Sequence, residues 1–133
     1  MDQSSVRFYT FLNHMLKTKS IQSRELKSDG LRICVMRRPG EYENWDIWMP
    51  KLSPSHELLN AYKYENLSWD EMTKRFSKEV LKKQKYLIKW LANLALKQEV
   101  TLLCWEETAK QCHRRLIAEA CQKLEPKLLV DLK

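Results

Sequence analysis

The sequence contains few residues of the kinds that build nucleotide-phosphate loops. Only two glycines occur among 133 residues, and neither a GxGxxG nor a GxxxxGK[ST] pattern is present. Because a phosphate-cradling loop needs closely spaced glycines, this scarcity argues against a dinucleotide-binding or P-loop fold. It argues equally against an all-β fold, whose tight turns depend on glycine.

Recognisable metal motifs, disulfide frameworks and long apolar runs are also lacking. Four cysteines occur, but none forms a CxxC or zinc-finger spacing, and no HExxH is present. We therefore expect no metal, no cofactor and no structural disulfide. The longest apolar runs are far shorter than a membrane span, and "MDQSSVRFYT" lacks the order of a signal peptide. These features predict a cytoplasmic protein with no membrane partner.

The composition is that of a globular protein with an excess of positive charge. Hydrophobic residues make up 44% and charged residues 31%, and the length suits a single domain over residues 1–133. The formal net charge is +7. This charge suggests an anionic partner, which is a nucleic acid, nucleotide, phosphate or acidic protein, although many basic proteins use such charge only for solubility.

Strand-like and helix-like segments alternate along the chain. "VRFYTFL" (6–12) predicts a short strand, with a helix continuing through "NHMLK" as the alternative. "LRICVM" and "EVTLLCW" are typical of buried strands, and "KLLVDL" of a final edge strand. The alternation predicts a small α/β domain of three layers, with a mostly parallel sheet flanked by helices.

The helices have recognisable starts. Ser53 or Ser55 is positioned to cap a short helix, and Ser68 with Glu71 forms a capping-box pattern before a long helical stretch reaching about residue 97. Two helices with a break near Lys83 are as compatible with the pattern as one. A last helix is expected over residues 109–124. The long stretch has an apolar face and an opposite lysine face, made of Lys74, Lys78, Lys82, Lys85 and Lys89.

Polar residues follow the two buried strands. Arg37 and Arg38 come after the first, and Glu106 comes shortly after the second, before the segment "CHRR" (112–115) at the expected start of the last helix. If the strands are parallel, their carboxyl ends share one rim of the sheet, where ligands bind in such folds. A helix N-terminus together with several guanidinium groups, including those of Arg114 and Arg115, suits an oxyanion.

These residues define a candidate site. For an enzyme, Cys112 would be the nucleophile or redox thiol, its pKa lowered by the helix N-terminus, and Glu106 and His113 the acid/base groups. Neighbouring residues on a helix point about 100° apart, so a direct Cys112–His113 dyad is not expected. The predicted ligand-binding residues are Arg37, Arg38, Arg114 and Trp48.

A purely structural interpretation exists for each of these features. Cys112 is compatible with a small buried side chain that only fills space in the core. His113 is compatible with a core histidine that is hydrogen-bonded to a strand-end carbonyl. The other three cysteines, Cys34, Cys104 and Cys121, are expected in the core. A metal site built from Cys104, Cys112 and His113 is a less favoured alternative, because no HxxE, CxxC or HExxH spacing supports it.

Residues from about Leu31 to Leu124 resemble the bacterial and archaeal domain-of-unknown-function 488 family. The resemblance is carried by "VMRRPG", by "WDIWMPKLSPSHELLNAY" followed by "SWDEMTKRF", and by "VTLLCWEETAKQCHRRLIAE". It implies a compact α/β domain with a parallel sheet, and recurrent polar positions at Arg37, Glu106, Cys112, His113 and Arg114. It implies no reaction. Many members have an aspartate where Met36 stands here, which removes one candidate acid/base group.

Two classes of function remain open from the sequence, and it does not decide whether the protein is an enzyme. The first is a small cytoplasmic α/β protein with an anion pocket at the strand ends, for a nucleotide, a phosphate ester or a nucleic-acid phosphate. The second is a non-catalytic module that binds nucleic acid through its lysine face. Alternatively, such a module binds another protein through the irregular, aromatic-rich loop that we expect over "EYENWDIWMPKLSPSHELL" (41–59).

Overall fold

The computed structural model describes residues 14–133, which form one parallel sheet with four α-helices. The strands are β1 (Met15–Ser20), β2 (Leu31–Cys34), β3 (Ile47–Trp48), β4 (Val100–Cys104) and β5 (Leu129–Leu132). Their order is β3-β2-β4-β1-β5, and every neighbouring pair is parallel. The helices are α1 (His56–Tyr64), α2 (Trp69–Phe76), α3 (Lys85–Lys97) and α4 (His113–Leu124). The predicted fold class is confirmed.

The strands differ from prediction mainly at the two edges of the sheet. The strand predicted over residues 6–12 lies outside the described residues, and the alternative helix through Lys17 is wrong because β1 begins at Met15. Side chains of β1 alternate between half-buried and buried, as expected of a strand with one face on the core. β5 is the edge strand that the sequence predicts, whereas β3 at the opposite edge was expected to be loop.

The two faces of the sheet are covered differently. On one face, Leu16, Ile33 and Leu102 pack into a core with apolar residues from all four helices. On the other face, Cys34 and Leu103 pack with residues from the connections after β1 and β2, namely Ile21, Met36, Tyr42 and Trp45. Because side chains alternate along a strand, Cys104 lies on the helical face with Leu102, at the carboxyl end of β4.

Serine caps fix where the first two helices begin. The hydroxyl of Ser55 accepts a hydrogen bond from the Leu58 amide at 3.1 Å, and that of Ser68 accepts one from the Glu71 amide at 3.1 Å. A π-helical turn over Ser77–Leu81 follows α2, and α3 begins only at Lys85, so the predicted break near Lys83 is confirmed. The helices present the expected buried face to the sheet and leave all five lysines of the row exposed.

The last helix begins later than the sequence predicts. α4 starts at His113 rather than near Ala109, and Cys112 is its N-cap residue with φ −129° and ψ 143°. Cys112 therefore has extended backbone geometry and lies outside the helix. Among the described residues, no helix combines the length and apolar character needed to cross a bilayer.

Candidate functional site

A cavity of about 640 Å³ opens at the carboxyl ends of β2 and β4. These two strands are hydrogen-bonded parallel neighbours, so the segments that follow them lie on one rim of the sheet. α1 and α2 form the opposite wall. The polar and thiol-bearing residues that line the cavity are Arg37, Arg38, Tyr62, Lys63, Cys104, Glu106, Gln111, Cys112 and His113.

Two thiols and an imidazole converge on the floor of this cavity. The ligand atoms of Cys104, Cys112 and His113 all lie within 4.8 Å of one another, and all three residues are buried. His113 Nδ1 is 3.6 Å from Cys104 Sγ and 4.0 Å from Cys112 Sγ. The prediction that Cys112 and His113 point apart is wrong, because Cys112 precedes the helix and its extended backbone turns the thiol back toward the ring.

The imidazole is oriented by the backbone of the neighbouring strand segment. His113 Nε2 lies 2.6 Å from the carbonyl oxygen of Val35, to which it donates a hydrogen bond. This bond, anticipated from the sequence as the structural role of His113, fixes the proton on Nε2. Nδ1 is then the nitrogen that faces the two sulfurs. The hydrogen bond to the Val35 carbonyl therefore both holds His113 in the core and orients its Nδ1 toward the two thiols.

Arg114 lies fully buried beneath the cluster with an incomplete set of partners. Its Nη1 donates to the Glu106 carbonyl at 2.9 Å and to Cys112 Sγ at 3.4 Å, and its Nη2 donates to the Lys133 carbonyl at 2.8 Å. Within residues 14–133, no Asp or Glu side chain forms an ion pair with it. Because a buried cation needs a counter-charge, the adjacent Cys112 thiol is the group placed to supply one.

The cluster separates the pKa values of its two thiols. The hydrogen bond from Cys104 lowers the pKa of Cys112, and the hydrogen bond and charge of His113 and the charge of Arg114 lower it further, against the opposing effect of burial. The same hydrogen bond to Cys112, together with burial, raises the pKa of Cys104. These opposite shifts favour loss of the first proton from Cys112 while Cys104 keeps its own.

The remaining two cysteines are ordinary buried thiols, as the sequence predicts. Burial raises the pKa of Cys34, and it raises that of Cys121 to about 12. All four cysteines are free and buried. Only Cys104 and Cys112 line the cavity, which separates them from the core pair.

Two cysteines and a histidine form a donor set that zinc accepts, and the sequence led us to expect no metal. The surroundings favour a thiolate over a cation. Arg114 Nη1 lies 3.4 Å from Cys112 Sγ and places a permanent positive charge beside the cluster, which would repel a divalent ion. We therefore interpret the three side chains as a thiolate site.

Several predicted residues lie elsewhere than on the cavity wall. Trp48 is on the edge strand β3, where its indole Nε1 donates to the Met36 carbonyl, and its role in ligand binding stays a prediction. Arg114 is under the cavity floor rather than in the cavity. Arg115 points to the surface of α4, where it pairs with Glu119 at 3.4 Å. Of the predicted guanidinium groups, those of Arg37 and Arg38 line the cavity.

Cys104, Tyr62 and Gln111 are the cavity residues whose importance the sequence did not reveal. Cys104 was expected to be core, yet it ends a parallel strand, which is the position at which ligand sites form in such sheets. The Tyr62 hydroxyl donates to Gln111 Oε1 at 3.0 Å. Burial raises the pKa of Tyr62, and the negative charges of Glu106 and Cys112 add to the effect. No local sequence signal connects Tyr62 with Gln111.

Fold and site together define a small α/β protein with a parallel sheet and a buried thiol site at its strand ends. The chain belongs to the domain-of-unknown-function 488 family: the model of the active DUF488-N3 subclade, DUF488-N3a, matches residues 16–124. The resemblance seen in the sequence is confirmed, and the match begins ahead of the segment 31–124 that carried it. Neither the curated proteins nor the solved structures contain a significant match.

Proposed function

We propose that the strand-end cavity binds a small anionic molecule, a phosphate ester or nucleotide, and that Cys112 acts on it as a thiolate nucleophile. The observation that carries the proposal is the Arg114–Cys112 contact. A fully buried guanidinium that pairs with no Asp or Glu side chain of residues 14–133 lies 3.4 Å from a sulfur that faces a cavity. This arrangement stabilises the nucleophilic form of the cysteine without a separate base.

The basic residues on the cavity rim support an anionic ligand. Arg37 and Arg38 follow β2, and Lys63 comes from α1, so positive groups flank the thiol from two sides. Guanidinium groups bind phosphate oxygens in pairs, and they also neutralise charge that develops when a nucleophile attacks. Because the thiolate is itself negative, these side chains would be needed to bring an anion close to it.

The proposed step is phosphoryl transfer to sulfur. The Cys112 sulfur forms a bond to phosphorus while the bond from phosphorus to the leaving-group oxygen breaks, and that oxygen takes a proton. Glu106, which lines the cavity, is the residue we assign to deliver this proton. Water then attacks the phosphorus of the thiophosphate, releasing inorganic phosphate and restoring the Cys112 thiolate. Such chemistry requires reduced thiols, in keeping with a cytoplasmic location.

Alkylation tests this proposal without knowledge of the substrate. The protein is treated at about pH 6 with iodoacetate, which is anionic, or iodoacetamide, which is neutral, and each cysteine is followed by peptide mass spectrometry. Since an ordinary thiol is almost fully protonated at that pH, only Cys112 should react quickly. Inorganic phosphate should protect it, and iodoacetate should outcompete iodoacetamide relative to their rates with a free thiol.

Matched variants separate the two parts of the proposal. Cys104→Ser should retain fast labelling at residue 112, whereas Cys112→Ser should abolish fast labelling altogether. Arg37→Gln with Arg38→Gln should remove the preference for iodoacetate and the protection by phosphate. Equal slow labelling of all four cysteines would refute the thiolate, and unchanged selectivity in the arginine variant would refute the anion pocket. Release of p-nitrophenol from p-nitrophenyl phosphate, lost in Cys112→Ser, would establish turnover.

A further inference from the structure

The net positive charge of the protein is concentrated on one stretch of the chain, from the middle of α2 to the end of α3, and the lysines of this stretch are exposed. Residues 72–97 contain eight Lys and Arg residues and one Glu, a net charge of +7, which equals the formal net charge of the whole chain. The rest of the sequence is therefore neutral overall. The single acidic residue, Glu79, is already engaged by Arg75 at 3.8 Å. The moderately basic composition of the whole chain is therefore due to one strongly basic stretch, residues 72–97.

The basic residues of this segment form an exposed row. Lys74 lies in α2 and Lys78 lies in the π-helical turn, and the row continues along α3 to residue 89. From residue 74 to residue 89 the row spans about 22 Å at the rise of an α-helix. The five exposed members are Lys74, Lys78, Lys82, Lys85 and Lys89. Across a shallow groove from Lys82 and Lys85 lies Lys123 of α4, which extends the basic surface onto a second helix.

Two aromatic side chains lie beside the lysines instead of in the core. Tyr86 is 89% exposed and Trp90 is 43% exposed, and each directly follows a lysine of the row. They are four residues apart, so they occupy neighbouring turns of one helical surface. Exposed rings beside a line of cations form the combination that holds single-stranded nucleic acids, in which phosphates meet the charges and bases stack on the rings.

We propose that this basic row, with Tyr86 and Trp90, is a binding surface for single-stranded nucleic acid. The apolar face of the same segment is occupied in the core by Phe76, Ile88 and Leu91, so little apolar surface remains for insertion into a membrane. Trp69 and Met72 of α2 line the thiol cavity, whereas Lys74 and Lys78 lie about 140° and 180° around the helix from Trp69. The surface is therefore distinct from the cavity, and the inference does not depend on the proposed chemistry.

Fluorescence anisotropy with a labelled oligothymidylate tests the surface directly. Binding should weaken steeply with salt, because each phosphate contact releases counterions. The triple variant Lys82→Gln, Lys85→Gln, Lys89→Gln should lower the slope of log affinity against log salt by about 2, at roughly 0.7 per contact for a single strand. Tyr86→Ala should weaken binding about fivefold or more at fixed salt, through lost stacking.

A second triple variant controls for net charge. Lys27→Gln, Lys51→Gln, Lys127→Gln removes the same number of exposed lysines from other parts of the surface and should leave the salt slope nearly unchanged. Equal losses in the two triple variants, no binding at low salt, or binding only to phosphatidylserine vesicles would each overturn the proposal. Fast alkylation of Cys112 should persist in the row variant, and Cys112→Ser should still bind the oligonucleotide, so each proposal fails independently of the other.

Discussion

Two arginines are buried among residues 14–133, and they differ in the side chain that lies beside each guanidinium. Arg32 on β2 is 1% exposed and Arg114 on α4 is 0% exposed. Arg32 forms an ion pair with the buried carboxylate of Asp29, which Lys19 also contacts at 2.9 Å. Arg114 contacts two carbonyl oxygens and the Cys112 sulfur. Arg32 faces a carboxylate in the core, whereas the side chain beside Arg114 is a thiol that lines a cavity.

This difference separates a structural ion pair from a reactive one. A second cation and the Leu26 amide keep the pKa of Asp29 low despite burial, so its charge is permanent at neutral pH. A thiol has an ordinary pKa of 9.0, and its charge exists only while its neighbours stabilise it. The carboxylate network is therefore placed to stabilise the fold, whereas the proposed Cys112 thiolate would act as both a counter-ion and a nucleophile.

Asp29→Asn should give the largest loss of stability. Removing the carboxylate leaves Arg32 and Lys19 without their shared partner, and breaking a buried pair in this way costs about 3–5 kcal/mol. Urea unfolding measures the loss, and Cys112 alkylation in the folded variant should be unchanged. The surface variant Asp131→Asn, whose ion pair with Lys133 is exposed, should cost less than about 1 kcal/mol. Equal costs for the two variants would contradict the structural role of Asp29.

Cys112→Ser should reduce the free energy of unfolding by a smaller amount, about 1–3 kcal/mol. The serine hydroxyl still accepts a hydrogen bond from Arg114 but carries no charge, so the guanidinium loses its counter-ion only. Cys121→Ser, at a buried thiol without a cationic neighbour, is the control for exchanging sulfur with oxygen. If both substitutions destabilised equally at neutral pH, Cys112 would not be a charged partner of Arg114.

The stabilisation that Cys112 provides should depend on pH. Because its pKa is lowered in the folded protein, the unfolded chain binds more protons between that lowered pKa and 9.0, and stability rises with pH across this window. Above 9.0 the raised pKa of Cys104 acts in the opposite direction, so the contribution of the pair declines. Unfolding free energies of wild type and Cys112→Ser, measured over this range, should diverge toward pH 9. A difference independent of pH would disprove the linkage.

Arg114→Met should change reactivity more than stability. Without the guanidinium, Cys112 can accept a proton, so no charge remains buried, and replacing a buried ion by an apolar side chain is often nearly neutral. The alkylation rate at about pH 6 should fall about tenfold or more, because the thiolate loses a cationic neighbour. Urea unfolding and labelling of the same sample measure both effects. A large loss of stability with unchanged labelling would reverse the contrast between the two arginines.

His113→Gln should have the smallest effect on stability and a moderate one on reactivity. The glutamine amide has a donor that can replace the Nε2 bond to the Val35 carbonyl, but it removes the ring nitrogen that faces the two sulfurs. The pH midpoint of alkylation at Cys112 should therefore move upward while urea unfolding changes little. An unchanged midpoint would show that Arg114 and Cys104 alone hold the thiolate.

The sequence predicted the strands and helices that build this site better than it predicted which of their side chains meet there. The strands ending at Cys34 and Cys104 and the break before α3 follow from local pattern, because burial and capping are encoded within a few residues. The start of α4 does not, since the segment 105–112 forms turns whose geometry is set by the neighbouring strand. Because the helix begins four residues later than predicted, Cys112 lies outside it. The side chains of Cys112 and His113, which we expected to point apart, therefore lie close together.

The two buried arginines show the same limit. No residue near Arg114 in the sequence distinguishes it from Arg115, whose side chain is more exposed. Likewise, no local pattern around Arg32 predicts its ion pair with Asp29. Helical periodicity separates inward from outward positions but does not say which groups surround an inward one. The sequence therefore identified Cys112, His113 and Arg114 as candidates, but only the tertiary structure shows that no Asp or Glu side chain of residues 14–133 pairs with Arg114.

The central claim is that Cys112 is a thiolate in the folded protein at neutral pH. The direct measurement is the ultraviolet absorbance of thiolate, titrated from acid to alkaline pH in the wild-type protein and in Cys112→Ser. The difference spectrum should show one thiolate already present at neutral pH, which disappears only well into the acid range. A difference that appears only as the pH approaches 9.0 would contradict this claim.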